Sequence, residues 1–308
     1  MKRGEGGKRK TPLAGDEPLI DVHAHFYHSE AGRADWRDLN AARFRAGERI
    51  GITWHVASVL GSYGFRSPTY FPSPEDVVVG NDAMLEIEAH ERARVRMYAT
   101  VNPNYTGHAL AEIERCGARG AAGVKLLASR RADDALLDPI AELAAERGFP
   151  ILHHVWQHRR REWPSQEISD GADLARLAAR HPRATFILAH IGGGGDWSHT
   201  FPAIAEYSNI YPDVSGSGVD RGMLDVALES LGPARLLWGC DLTMETGLAK
   251  LRALEAIGLE KDQMSLIRWG NAVRIFPRGA FPGIDAGSQR PERGVAPAAR
   301  RPPPAARR

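Results

Sequence analysis

Cysteine is scarce in this chain. Two residues, Cys116 and Cys240, stand among 308 in unrelated settings, so no disulfide framework is expected and a reducing cytoplasm is the expected compartment. Long hydrophobic runs are also missing. No segment approaches the roughly 18 apolar residues of a membrane span. The opening "MKRGEGGKRKTPLAG" has no apolar stretch to act as a signal peptide. Net charge is only +2, and it sits at the ends. Residues 1–18 carry five Lys/Arg against three acids, and residues 279–308 carry six Arg against two. The stretch between them is therefore mildly acidic, which does not favour a polyanionic partner. The basic end "QRPERGVAPAARRPPPAARR" has no aromatic residue among its arginines, so it lacks the stacking surface of a single-strand binder. Nucleic acid is not an expected partner, and both ends read as disordered tails.

Residues 19–278 carry the pattern of a folded domain. Short apolar runs recur at 18–25, 51–60, 94–103, 121–127, 149–155, 184–192, 209–216 and 234–241. They begin about 25–45 residues apart, the size of a strand–helix unit, and several are continuously apolar, as strands buried on both faces are. Helix punctuation fills the gaps. Ser73 and Pro74 open one helix, Asp138 and Pro139 another that ends at Gly148, and two more are expected near 245–256 and 262–275. Eight such units predict an α/β (β/α)8 TIM barrel. A doubly wound open sheet is the rival, but the turn after the first run, "HFYHSEAGR", has no Gly-rich phosphate pattern.

In a barrel, chemistry gathers at the C-terminal ends of the strands, and the polar residues of the apolar runs fall there. The first run ends "LIDVHAHFYH", with His23 and His25 at the two-residue spacing that shares a strand face; His28 lies past the strand. Lys125 lies in the fourth run, His153 and His154 end the fifth, His190 the sixth and Asp241 the eighth. One strand-end histidine is commonly a hydrogen-bonded core residue, Asp241 alone reads as a helix cap, and Lys125 alone as a snorkelling side chain. Together they would leave several buried polar groups unsatisfied unless a shared cation pairs them. Zn2+ accepts imidazole and carboxylate and leaves a position for water.

The segments "IDVHAHF", "GVKLL", "PILHHVW", "FILAHIGGG", "RLLWGCD" and "GNAVRIF" resemble the amidohydrolase superfamily. Within it they are similar to the amidohydrolase-related (family 2) group of metal-dependent hydrolases and decarboxylases akin to aminocarboxymuconate semialdehyde decarboxylase. The resemblance spans 19–278. It implies one divalent metal, Zn2+ foremost, on His23, His25, His154 and Asp241, with His190 and Asp241 as the catalytic pair. It favours His154 over His153, which alternation turns to the opposite face of the strand. A second metal follows only if Lys125 is carboxylated; otherwise Lys125 binds a substrate carboxylate or pairs with Asp241. Two departures stand out: no proline follows H-x-H, and Cys240 replaces a common serine before the strand-8 aspartate.

Hydrolysis of a C–N, ester or lactone carbonyl in a small, anionic substrate is the first expectation. Decarboxylation of an unsaturated or aromatic acid on the same platform is the alternative, and a non-catalytic binding barrel a third. Arg159, in the run Arg159–Arg161 after the fifth strand, is a candidate substrate contact. The aromatic loop holding Tyr63, Phe65, Arg66 and Tyr70 is a candidate lid. A homodimer is the default for such an enzyme.

Overall fold

The computed structural model describes residues 17–29, 33–59, 67–154, 167–191, 197–216, 222–241 and 244–284. Parallel strands alternate with helices: β1 (Ile20–Phe26), α1 (Trp36–Ile50), β2 (Trp54–Val59), α2 (Pro74–His90), β3 (Val95–Val101), α3 (Thr106–Gly117), β4 (Gly123–Leu126), α4 (Asp138–Arg147) and β5 (Ile151–His153). Then come α5 (Gly171–Arg180), β6 (Phe186–Leu188), α6 (Trp197–Ile204), β7 (Ile210–Pro212), α7 (Met223–Leu231) and α8 (Met244–Ile257). The strands form one seven-stranded sheet in the order β1 to β7, each parallel to the next.

The eighth apolar run does not form the expected strand. It makes two isolated parallel bridges, Asp213 with Leu237 and Ala24 with Asp241. Leu237 N–H donates to Pro212 O at 3.0 Å, and Asp241 N–H to His23 O at 2.7 Å. The segment thus touches both β7 and β1. Its ladder is broken because the Cys240 N–H donates to the Asp21 carboxylate at 3.0 Å, and Asp241 turns left-handed at φ 59°.

Two apolar layers hold the sheet. Ile20, Val22, Val56, Tyr98, Leu152, Ile187 and Leu237 form one cluster with Phe276 and Phe281. Alternate strand residues Val124, Leu126, Ile151, Phe186, Leu188 and Ile210 pack with helical Ile113, Ile140, Leu174 and Leu177 in the other. That is the alternation of strands with two apolar faces. Residues 279–284, placed in the C-terminal tail by composition, include Phe281, which is buried against Phe276 and Trp54. At the other end, Glu17 of the N-terminal tail accepts from Ser265 Oγ at 2.7 Å, and residues 1–16 and 285–308 lie outside the described ones.

Local signals decide several helix ends. Ser73 Oγ accepts the Asp76 N–H at 3.2 Å, with Pro74 in the first turn. Gly148 closes α4 in the left-handed conformation, φ 67°. Asp138 is the first residue of α4 rather than its cap. Its carboxylate meets His181 Nε2 at 2.7 Å and Arg180 at 2.8 Å. The last helical run, 261–275, contains a π-helical turn at Leu266–Gly270. Asn271 pins it by donating to Leu236 O at 2.7 Å and Pro233 O at 2.8 Å. No helix among the described residues is long and apolar enough to cross a membrane.

Candidate metal centre

The register between β1 and β2 shifts between Asp21 and Ala24. Such irregularities re-aim side chains near functional sites. Ile20 and Val22 stay in the apolar cluster with Leu152 and Ile187, while His23 and His25 turn toward Asp241. Ligand atoms of His23, His25 and Asp241 all lie within 4.8 Å of one another. His25 Nε2 is 3.1 Å from Asp241 Oδ1, and His23 Nε2 is 3.8 Å from it.

Both imidazoles are anchored through Nδ1. His23 Nδ1 meets Asp213 Oδ2 at 2.9 Å and Ser215 Oγ at 3.1 Å. His25 Nδ1 meets Ser58 Oγ at 3.1 Å. His23 Nε2 faces Lys125 Nζ at 3.0 Å and His25 Nε2 faces the Asp241 carboxylate at 3.1 Å; with the proton on Nδ1, each Nε2 becomes a ligating atom. Burial, reinforced by Lys125, lowers His23 to about 4 against the pull of Asp213. Burial also lowers His25. Both rings are therefore neutral at pH 7, the state in which imidazole ligates a metal.

Asp241 is an ionised carboxylate. Burial alone would raise its pKa, but His190, His25 and His23 together hold it well below the usual range. Its side chain remains one-quarter exposed, the largest exposure in the cluster. His190 Nε2 lies 3.3 Å from Asp241 Oδ2. His190 Nδ1 has no hydrogen-bond partner among the described residues. His190 and Asp241 are the two non-glycine residues among those described with positive φ, 64° and 59°. Such conformations cluster at functional sites because surrounding contacts must hold them.

His154 joins from the end of β5. Its ring centroid is 4.5 Å from that of His190, and Tyr70 covers it at 5.2 Å. Burial and the neighbouring His190 push it well below its ordinary value. His153 is buried in β5; burial, with a smaller push from Lys125, lowers it to about 4. Lys125 is buried and its Nζ donates to His23 Nε2 at 3.0 Å. Burial lowers it to about 8 against the pull of Asp241 and Asp213. Arg159, Tyr63, Phe65 and Arg66 lie outside the described residues.

The donor set suits a divalent cation. Two neutral imidazole nitrogens and one carboxylate oxygen converge, with an Asp213 carboxylate behind one imidazole, the second-sphere pairing that fixes ligand tautomers. One adjustment is required: Lys125 must release His23 Nε2 for that nitrogen to ligate.

Two carboxylates that sequence reasoning missed organise the centre. Asp213, fully buried and held at about 2 by His23 against the opposing effect of burial, accepts the backbone N–H of His190 at 3.2 Å and of Ser215 at 2.9 Å through Oδ1. Asp21, also fully buried, accepts the N–H of His23 at 3.1 Å and of Cys240 at 3.0 Å. Each falls inside an apolar run, in "LIDVH" and "YPDVS", which was the available signal.

A family model described as Amidohydrolase matches residues 20–278. No curated protein matches in sequence. Several solved structures are similar. A 2,6-dihydroxybenzoate decarboxylase from Rhizobium is 16% identical with a TM-score of 0.64, over 84% of this chain and 98% of its own. A 5-carboxyvanillate decarboxylase from Sphingomonas paucimobilis is 18% identical with a TM-score of 0.64, over the same shares. A dihydroxybenzoic acid decarboxylase from Polaromonas sp. JS666, with bound manganese and the inhibitor 2-nitroresorcinol, is 19% identical with a TM-score of 0.65, over 84% and 96%. At these identities the likeness is one of fold.

Proposed function

This chain belongs to the amidohydrolase family, and from that premise we propose that it is a metal-dependent decarboxylase of small hydroxylated aromatic acids. The observation that carries the reading is the convergence of His23, His25 and Asp241 beside a buried lysine, Lys125. The three similar enzymes named above are decarboxylases, which moves decarboxylation ahead of the hydrolysis first expected from sequence. Hydrolysis on the same platform is the second reading, favoured by the family description and by similarity to a putative amidohydrolase from Staphylococcus aureus.

In this reading His23, His25 and Asp241 hold one divalent ion, Mn2+ or Zn2+, with His154 completing the set. When bound, the ion supplies positive charge that orients the oxygens of the acid and stabilises negative charge developing on it. Lys125 binds the carboxylate of the incoming substrate once it has left His23. Tyr70 forms an aromatic wall over His154 and narrows the access of water. Asp241 stays ionised and therefore does not supply the proton. His190, against Asp241 Oδ2, is the general acid: it places a proton on the ring carbon that bears the carboxylate. The carbon–carbon bond breaks, CO2 leaves, and His190 regains its proton from solvent.

The deciding assay measures CO2 release from 2,6-dihydroxybenzoate, 5-carboxyvanillate and related hydroxybenzoates by metal-loaded wild type and Asp241→Asn. CO2 from the wild type alone supports the reading. A stoichiometric metal with no CO2 from any of these acids, beside turnover of esters, lactones or amides, replaces it with hydrolysis.

A further inference from the structure

The Asp21 carboxylate joins β1 to the eighth run, α1 and β2. Its Oδ1 accepts backbone N–H groups from His23 on β1 and Cys240 in the eighth run. Its Oδ2 receives Arg43 Nη2 of α1 at 3.1 Å and faces His55 Nδ1 at 3.4 Å. Burial would raise Asp21, yet His55 and Arg43 hold it low, so it remains an anion within the fold. The same Arg43 Nη2 donates to the backbone carbonyl of Asp241 at 3.0 Å. Arg43 is 8% exposed, so this guanidinium is largely sealed from water.

These contacts meet on a strained residue. Asp241 has a left-handed backbone, φ 59°, an uncommon conformation for a non-glycine residue and one that its neighbours hold. Its N–H is fixed by His23 O at 2.7 Å and its C=O by Arg43. The preceding N–H, of Cys240, is fixed by Asp21. Both peptide groups of Asp241 are therefore held, and the Asp21–Arg43 pair supplies two of the three contacts: the one on the Asp241 carbonyl and the one on the preceding amide. A surface pair would be worth little. This one is buried, and a single guanidinium nitrogen, Nη2, joins the carboxylate to the carbonyl.

We infer that Asp21 and Arg43 are positioning residues for the metal centre: they lock the backbone of Asp241 so that its carboxylate meets His25 and His23. Neither residue belongs to the converging group of His23, His25 and Asp241. The inference rests on the metal reading above but not on the reaction assigned to it. The hydrogen-bonded brace sets the direction of the carboxylate before an ion arrives, and removing it leaves a carboxylate that is present but misdirected.

The test uses the full-length, metal-stripped chain and reads Mn2+ affinity by electron paramagnetic resonance titration, beside thermal unfolding of the metal-free protein. Two variants are compared with wild type. Arg43→Lys keeps a positive charge in the pocket on a shorter side chain, which no longer places a nitrogen where Nη2 joins Asp21 to the Asp241 carbonyl. The double variant Asp21→Asn with Arg43→Met removes both charges together, so no buried ion is orphaned, and Asn retains an acceptor for the His23 and Cys240 amides. Expected is a Kd for Mn2+ weakened about tenfold or more in both, the size typical of outer-sphere partners, with cooperative unfolding preserved. A purely structural role would lower the unfolding temperature and leave the Kd of the folded protein unchanged. If the double variant does not fold, Arg43→Lys decides. Wild-type Mn2+ affinity in a folded variant overturns the inference while leaving the decarboxylase reading intact. Weakened affinity in a protein that releases no CO2 has the opposite consequence. A wild type that binds neither Mn2+ nor Zn2+ overturns both.

Discussion

His190 Nε2 lies 3.3 Å from Asp241 Oδ2, and both residues hold left-handed backbones. Conformations of this kind cost on the order of 1–3 kcal/mol each unless neighbours over-determine them. Here two buried carboxylates serve that end. Asp213 accepts the His190 N–H, and Asp21, with Arg43, braces Cys240 and Asp241. Each carboxylate also touches His23, through its Nδ1 in one case and its N–H in the other. His23 is thereby the common element of both braces.

Different roles for the two residues predict different losses. Asp241→Asn removes the one carboxylate among the three converging ligands, and its purified protein should hold far less than one metal per chain by elemental analysis. His190→Asn should retain the metal and lose about 10²–10⁴-fold in turnover, the usual worth of a general acid. Loss of metal in His190→Asn would make His190 a ligand instead.

Asp213→Asn tests the brace behind His23. Asn can keep its oxygen on the His190 and Ser215 amides. Its Nδ2 must then face His23 Nδ1 as a donor, which moves the imidazole proton to Nε2, the atom turned toward Asp241. Metal affinity should fall about 10- to 100-fold, measurable by competition with a chelator. Unchanged affinity would mean that His23 does not ligate through Nε2.

Much of this arrangement is legible in the sequence. The seven strands fall in the first seven apolar runs, because strands buried on both faces must be apolar throughout, and His23, His25, His190 and Asp241 meet where strand-end polar groups were expected to meet. The eighth run bridges β7 and β1 as expected but falls short of a continuous strand, because its ladder is interrupted where Asp21 takes the Cys240 N–H. Asp21 and Asp213 were overlooked because each is a lone acid in an apolar run, and no periodicity tells a brace from a cap. The direction in which His23 turns depends on the register shift between Asp21 and Ala24, which no side-chain pattern encodes.

Lys125→Met replaces a buried ammonium with an apolar chain of similar length. His23 Nε2 loses its donor at 3.0 Å, and one positive charge leaves the neighbourhood of the cation. Metal affinity should rise, the content should stay at one per chain, and KM for a carboxylate substrate should rise about tenfold, the worth of one charge-assisted hydrogen bond. A wild type with two metals that drops to one in Lys125→Met would instead make Lys125 a carboxylated bridge.

The strongest pH prediction lies away from the centre, on α2. Glu88 Oε2 accepts the Met97 N–H at 3.0 Å, and Oε1 meets Arg96 at 3.4 Å. Burial nonetheless pushes the carboxyl up to about 7, beyond what Arg96 recovers. The folded chain then keeps this proton up to about pH 7, while the unfolded chain releases it near 4.5. Between those values the folded state binds more protons, so this residue's contribution to stability falls as pH rises. Glu88→Gln keeps an acceptor for Met97 and no longer titrates. The variant should match wild type below about pH 4.5 and exceed it above pH 7 by about 3 kcal/mol, because each tenfold difference in proton affinity between the folded and unfolded chain is worth about 1.4 kcal/mol. Urea unfolding of both proteins from pH 4 to 8 gives the difference directly. A difference that stays constant across that range would show that the Arg96 pair keeps Glu88 ionised throughout.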